Sequence, residues 1–137
     1  MAAAYRAEAT SEGGRDGGRA SLREGGLYVA MALPKELGGR GNGSNPEQLF
    51  ALGYATCFNS AILLAAQRQQ VDASRATVTA EVGIGKDETS FALEVELKVH
   101  IPGVDADKAR ELVDAAHELC PYSKATRNNI PVRLTVV

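Results

Sequence analysis

The sequence predicts an α+β fold: mostly antiparallel sheets packed around one long central helix. Three observations carry this. A largely apolar stretch from residue 46 to about 70 opens with helix-start chemistry. Alternating, strand-like runs stand on both sides of it. A second amphipathic stretch then leads into a last strand-like run, "IPVRLTVV". Strands, helix, strands, helix, strand is the order of an α+β domain, not the regular alternation of a parallel α/β one.

The elements follow in chain order. Residues 5 to 10 (YRAEAT) alternate as a strand does, and "EGGRDGGR" supplies turn residues. "ASLREGGLYVAMAL" reads as two short strands around Glu24-Gly25-Gly26, and "PKELGGRGNGS" as a glycine-rich loop. Asn45 is a good N-cap, Pro46 suits the first helical position, and Gln48 stands where a capping box needs it. Leu49, Phe50, Leu52, Tyr54, Cys57, Phe58, Ala61, Ile62, Leu64 and Ala65 then cover more than one face. A helix reaching Gln69 or Gln70 is about 35 Å long and has few neighbours in so short a chain, so a second copy of the chain is expected to bury it. Val78, Ala80, Val82 and Ile84 alternate, as do Phe91, Leu93, Val95, Leu97, Val99 and Ile101, which predicts a long hairpin with Glu94, Glu96, Lys98 and His100 on its wet face. Asp105 caps a second helix to about Leu119, with Ala109, Leu112, Val113 and Ala116 inward. "CPYSKATRNN" reads as a polar connection to the closing strand.

Composition narrows the function classes. The chain has 137 residues, read as one domain over 1–137. Its net charge is -2 and its basic residues are scattered, which argues against a nucleic-acid partner. The first residues hold no apolar run of signal-peptide length, and the stretch 46–66 is interrupted by Gly53, Thr56, Asn59 and Ser60. That stretch reads as too polar to span a membrane, so the expectation is a cytoplasmic protein without a membrane partner. In such a reducing compartment the two cysteines are free, catalytic or metal-binding, not a permanent bridge.

Cys57 lies twelve residues beyond the cap, too far to gain from the helix dipole, which fades within the first turn. A reactive thiolate there needs a nearby cation. Arg15 and Arg19 are the candidates, set among Gly13, Gly14, Gly17 and Gly18 with no local reason for their charge. The opposing reading makes Cys57 a small core hydrophobe. Cys120 sits between a helix end and Pro121. A metal site built from Cys57, Cys120, His100 and His117 is disfavoured, because only His117 and Cys120 have close ligand spacing. His117 is expected on a helix surface and His100 in solvent. The "GGRGNGSNPE" loop lacks the phosphate-loop order, and Glu47 in the first helical turn would repel an anion.

Five segments, "GGRDG", "ELGG", "NPEQLFALGYATCF", "VGIG" and "CPYSKATRNNI", resemble the organic hydroperoxide resistance proteins, within the superfamily of osmotically inducible protein C. The resemblance runs from about residue 5 to the C-terminus in the family's order. It implies an intertwined homodimer with active sites at the subunit interface, and a thiol peroxidase that reduces organic hydroperoxides to alcohols without a cofactor. Carried over by motif, Cys57 is the peroxidatic cysteine, Cys120 the resolving one, and Arg15 and Glu47 polarise the thiolate. The usual reductant is a dihydrolipoyl group on a lipoylated protein. Phe50, Leu52, Tyr54 and Phe58 are candidate pocket walls, and an apolar wall would prefer an alkyl or fatty-acid hydroperoxide over hydrogen peroxide, which offers nothing to bury. One departure is "GGRDGGRA", with an added glycine after the aspartate, which leaves Arg19 without a family role. Three other readings remain at this stage: a redox sensor, for which no output domain is visible; the osmotically inducible branch, which the "NPEQ" and "CPYS" contexts disfavour; and a structural protein with inert core thiols.

Overall fold

The helix expected after residue 45 forms over Pro46–Arg68 (α1) in the computed structural model, which describes residues 1–137. Its capping box is reciprocal. Asn45 Oδ1 accepts from the Gln48 N–H at 2.9 Å, and Gln48 Oε1 accepts from the Asn45 N–H at 3.2 Å. At the other end Gln70 takes the left-handed conformation (φ 56°) where glycine is usual. The Val71 N–H reaches Ala66 O and the Gln70 N–H reaches Gln67 O, the crossed bonds that close a helix. The chain divides into two units, Met1–Leu49 and Phe50–Val137, and α1 runs through the boundary.

In the first unit, Ala9–Glu12 (β1), Arg19–Leu22 (β2) and Tyr28–Ala30 (β3) form an antiparallel meander. The first strand lies a few residues later than its alternating pattern suggested, because Glu12 pairs with Arg19 and fixes the register. The turn between β1 and β2 is tightly closed rather than loosely hinged. Gly13 stands at φ 84°, and a Cβ on Gly18 would lie 2.3 Å from Gly14 O. The Gly17 N–H donates to Met31 O, and Gly18 O accepts from the Met31 N–H. Almost every residue of the three strands is exposed, including Leu22 and Tyr28.

In the second unit, Thr77–Lys86 (β4) and Phe91–His100 (β5) form the long hairpin, with Val78 opposite Val99, Ala80 opposite Leu97 and Val82 opposite Val95. Val132–Val136 (β6) adds to β5 in parallel. A parallel neighbour needs a crossover, and Ala106–Leu119 (α2) and Pro121–Thr126 (α3) provide it. Asp105 caps α2 by accepting from the Lys108 N–H at 2.8 Å. The buried residues of α2 are Ala109, Leu112, Val113 and Ala116, the four that its periodicity indicated. They share one core with Tyr54, Phe58 and Ile62 of α1 and with Val95, Leu97 and Val99 of β5. The α+β class is as expected, with the one parallel pair as the exception to antiparallel pairing.

Two expectations are corrected. The "CPYSKATRNN" connection contains a short helix, because Pro121 can open a helix whose first N–H needs no partner. By length and composition α1 also suffices to cross a membrane, so its polar interruptions do not make it too polar. About a third of its most apolar stretch is buried by the chain's own residues.

Candidate functional site

Four of the sequence's candidate residues form two pairs, one in each unit. In the first unit the β1–β2 turn carries Arg15, and the first turn of α1 carries Glu47. The guanidinium grips the carboxylate with both forks: Nη1–H to Oε2 at 2.9 Å and Nη2–H to Oε1 at 2.7 Å. Such two-pronged charged bonds fix orientation as well as distance. Glu47 is buried while Arg15 remains 43% exposed on its side chain. The Arg15 bonds hold the Glu47 carboxyl below its ordinary pKa, against the upward push of burial, and the same bonds raise Arg15 further. Arg19, the other candidate cation, pairs instead with Glu12 across the strands at 2.8 Å.

The sign of the Glu47 shift gives a pH dependence. A carboxyl with a depressed folded-state pKa stabilises the fold above its unfolded value, and that contribution fades as pH falls through the folded value. The stability difference between the wild type and Glu47→Gln is therefore expected to be constant above about pH 5 and to shrink below about pH 4. Denaturant midpoints measured across that range check it.

In the second unit Cys57, from the middle of α1, meets Cys120, the residue where α2 ends and α3 begins. Both thiols are free, and the Cys120 Sγ–H points to Cys57 Sγ at 3.4 Å. Sixty-three residues separate them in sequence, so only tertiary packing brings them together. Cys120 is completely buried and Cys57 is half-buried. Burial pushes the Cys57 thiol pKa up, the Tyr122 backbone N–H pulls it down, and Cys120 pushes it up again. On balance the thiol pKa is raised.

Buried polar groups hold α3 against α1. The Tyr54 hydroxyl bonds to Ser123 Oγ at 2.9 Å and to Thr126 Oγ1 at 3.1 Å, all three inside the core. Unpartnered, a buried hydroxyl costs about 1–3 kcal/mol, so these bonds lock α3 to α1 and with it the Cys120 corner. Tyr122 lies across α1 at Gly53, where a Cβ would stand 3.0 Å from its hydroxyl oxygen, and packs on Phe50 and Tyr54. Sequence reasoning missed Gly53, Tyr122, Ser123 and Thr126. A usable signal was the proline after Cys120, which marks a helix start.

The four candidate wall residues separate by exposure. Leu52 is 67% exposed and Phe50 is partly buried, while Tyr54 and Phe58 are fully enclosed in the core. His117 is not on the surface as expected. It is half-buried beside Phe58, its Nδ1 has no partner, and burial lowers its pKa. His100 is exposed, as expected, and its Nδ1 lies 2.9 Å from Val137 O.

The α+β chain is similar to known proteins along nearly its whole length. The family model for OsmC-like protein matches residues 39–135. The organic hydroperoxide resistance protein of Xanthomonas axonopodis pv. citri is 46% identical over 134 residues, covering 96% of this chain and 94% of its own. Among solved structures, that of the organic hydroperoxide resistance protein OsmC from Legionella pneumophila matches with a TM-score of 0.92 at 44% identity, covering 98% of each chain. The structure of OhrB of Bacillus subtilis matches with a TM-score of 0.88 at 40% identity, covering 98% of this chain and 100% of its own. The chain belongs to the OsmC-like family, among the organic hydroperoxide resistance proteins.

Proposed function

We propose that this protein detoxifies organic hydroperoxides as a cysteine-based peroxidase, working as an intertwined homodimer of 137-residue chains in the reducing cytoplasm. The observation that carries the reading is the approach of the two free sulfurs to 3.4 Å on a framework that holds them there. The Cys57 thiolate attacks the outer peroxide oxygen; the O–O bond breaks, and the alkoxide leaves with a proton as the alcohol. Cys57 is then a sulfenic acid. Cys120 condenses with it, releasing water and forming the Cys57–Cys120 disulfide within one chain, which blocks further oxidation. An external dithiol, here a dihydrolipoyl group on a lipoylated protein, reopens the bridge by exchange.

Arg15, held by Glu47, stabilises the thiolate and the charge growing on the peroxide oxygens. Helix geometry supports placing that pair on the other subunit. Glu47 and Cys57 are ten residues apart on α1, about 15 Å along its axis. Two antiparallel copies of α1 crossing near Leu52 bring Glu47 of one level with Cys57 of the other. Leu52, the midpoint, is 67% exposed, and Leu63 and Leu64 are exposed as well. The uncovered β1–β3 sheet supports the same reading, since three thin strands need a packed face to persist. Phe50 and Leu52 offer apolar surface to an alkyl chain, while hydrogen peroxide has nothing to bury.

Turnover of cumene hydroperoxide with dihydrolipoamide, set against hydrogen peroxide and against thioredoxin as reductant, tests the reading. Sustained turnover with the organic peroxide and the dithiol is expected; oxidation that stops after one equivalent would make the protein a sensor. In addition, Arg15→Ala is expected to raise the Cys57 pKa and slow peroxide attack, with only partial rescue by Arg15→Lys, because an ammonium cannot make the two-pronged bond to Glu47. Thiolate absorbance titrated in the three proteins measures this. An unchanged midpoint removes Arg15 from the mechanism.

A further inference from the structure

We infer that the reductant enters the cycle at Cys57 and never at Cys120, so that oxidant and reductant meet the same sulfur through the same opening. The inference rests on the proposed disulfide cycle, and its basis is an asymmetry of access. Cys120 is completely buried, in one core cluster with the inner face of α2 and with Tyr54, whose hydroxyl bonds to Ser123 and Thr126 hold α3 in place. Cys57 keeps part of its surface open. Closing the sulfurs from 3.4 Å to bonding distance needs only a small shift of either side chain, which leaves Cys120 enclosed.

Thiol–disulfide exchange requires the attacking thiolate to approach one sulfur in line with the S–S bond, from the side opposite the sulfur that leaves. Of the two sulfurs only Cys57 has surface open to such an approach. Cys120, with no exposed surface, offers none. The exchange then runs in two balanced steps. A thiolate of the external dithiol bonds to Cys57 Sγ, the Cys57–Cys120 bond breaks, and Cys120 leaves with the electron pair and takes a proton. The second thiolate of the dithiol attacks its own partner sulfur, closing a cyclic disulfide and releasing Cys57 reduced. A vicinal or 1,3-dithiol suits this second step because it is intramolecular. A monothiol adduct on Cys57, by contrast, faces the returning Cys120 at 3.4 Å and is expelled. Entry at Cys57 makes a bound alkyl hydroperoxide and the reductant mutually exclusive.

The test uses full-length protein oxidised with diamide, so that no peroxide chemistry is involved and a failure here is separate from a failure of the peroxidase reading. The disulfide form is mixed with a large excess of N-acetylcysteamine, quenched in acid and mapped by mass spectrometry. The adduct is expected on Cys57 with Cys120 free; an adduct on Cys120 overturns the inference. Should rapid expulsion keep the adduct from accumulating, the reverse reaction decides, since microscopic reversibility takes it through the same sulfur. Cys120→Ala and Cys57→Ala proteins are each reacted with 4,4′-dithiodipyridine. Cys57 alone is expected to react at least about 100-fold faster than Cys120 alone, whose attack waits on local opening of the α2–α3 corner. Comparable rates, or a faster Cys120, overturn it.

Discussion

Replacing Cys57 by serine is expected to reduce hydroperoxide turnover to the uncatalysed background, whereas replacing Cys120 leaves a single round of oxidation. The two outcomes differ because the sulfurs have different tasks. A serine hydroxyl in place of the Cys57 thiol stays protonated at neutral pH and gives no nucleophile to the peroxide oxygen. Without Cys120 the first attack is intact, but no second thiol stands 3.4 Å away to condense with the sulfenic acid. The sulfenate then persists and is carried by further peroxide to the sulfinic state, which is irreversible without a dedicated repair enzyme. Cys120→Ser puts a hydroxyl in a completely buried site at a cost of about 1–3 kcal/mol, so Cys120→Ala serves as the folding control. Mass spectrometry after one peroxide equivalent separates the roles. One added oxygen on Cys57 is expected in the Cys120 variants; a stable sulfenate on Cys120 in Cys57→Ser would reverse the assignment.

Much of the fold was legible because its longer elements repeat a period. The inner face of α2 is visible in Ala109, Leu112, Val113 and Ala116, and the hairpin in its two alternating runs. The α1 start is written in Asn45, Pro46 and Gln48. The helix α3 was not legible. Its six residues are too few to show a period, and Ser123 and Thr126 look like solvated loop residues until the Tyr54 hydroxyl is seen to need them. His117 was misplaced for a related reason: an isolated histidine carries no sign of whether the strip it stands on is packed. In the candidate site, Arg15 was conspicuous as a charge among glycines, but nothing local links it to Glu47, 32 residues away. Cys57 and Cys120 are likewise joined only by the crossover. The pairing of both sets entered through the resemblance, not through spacing. The membrane reading of α1 shows the limit of composition, since a buried soluble helix and a spanning one share the same length and apolar content.

Mixing two inactive proteins is expected to restore activity, and this is the strongest test of how the site is assembled. Glu47→Ala homodimers lose the clamp on Arg15, and Cys57→Ser homodimers lose the nucleophile. If Glu47 of one subunit serves Cys57 of the other, a heterodimer of the two holds one dead site, with both changes, and one site in which Glu47 and Cys57 are intact. Unfolding and refolding an equal mixture makes half the dimers heterodimers, so recovery of about a quarter of wild-type turnover is expected. The reasoning depends on α1. A 23-residue helix holds Glu47 and Cys57 about 15 Å apart along its axis. Its exposed Leu52 lies midway between them, at the place where an antiparallel copy would cross. A site assembled within one chain gives a different result, because every chain in the mixture then carries a lesion in its own site. Absence of turnover in a preparation shown by native mass spectrometry to contain heterodimers would therefore exclude sharing between subunits. Adding Arg15→Ala to the Cys57→Ser partner, whose intact Glu47 holds the guanidinium of the surviving site, is expected to silence that site, whereas the same change in the Glu47→Ala partner leaves it active.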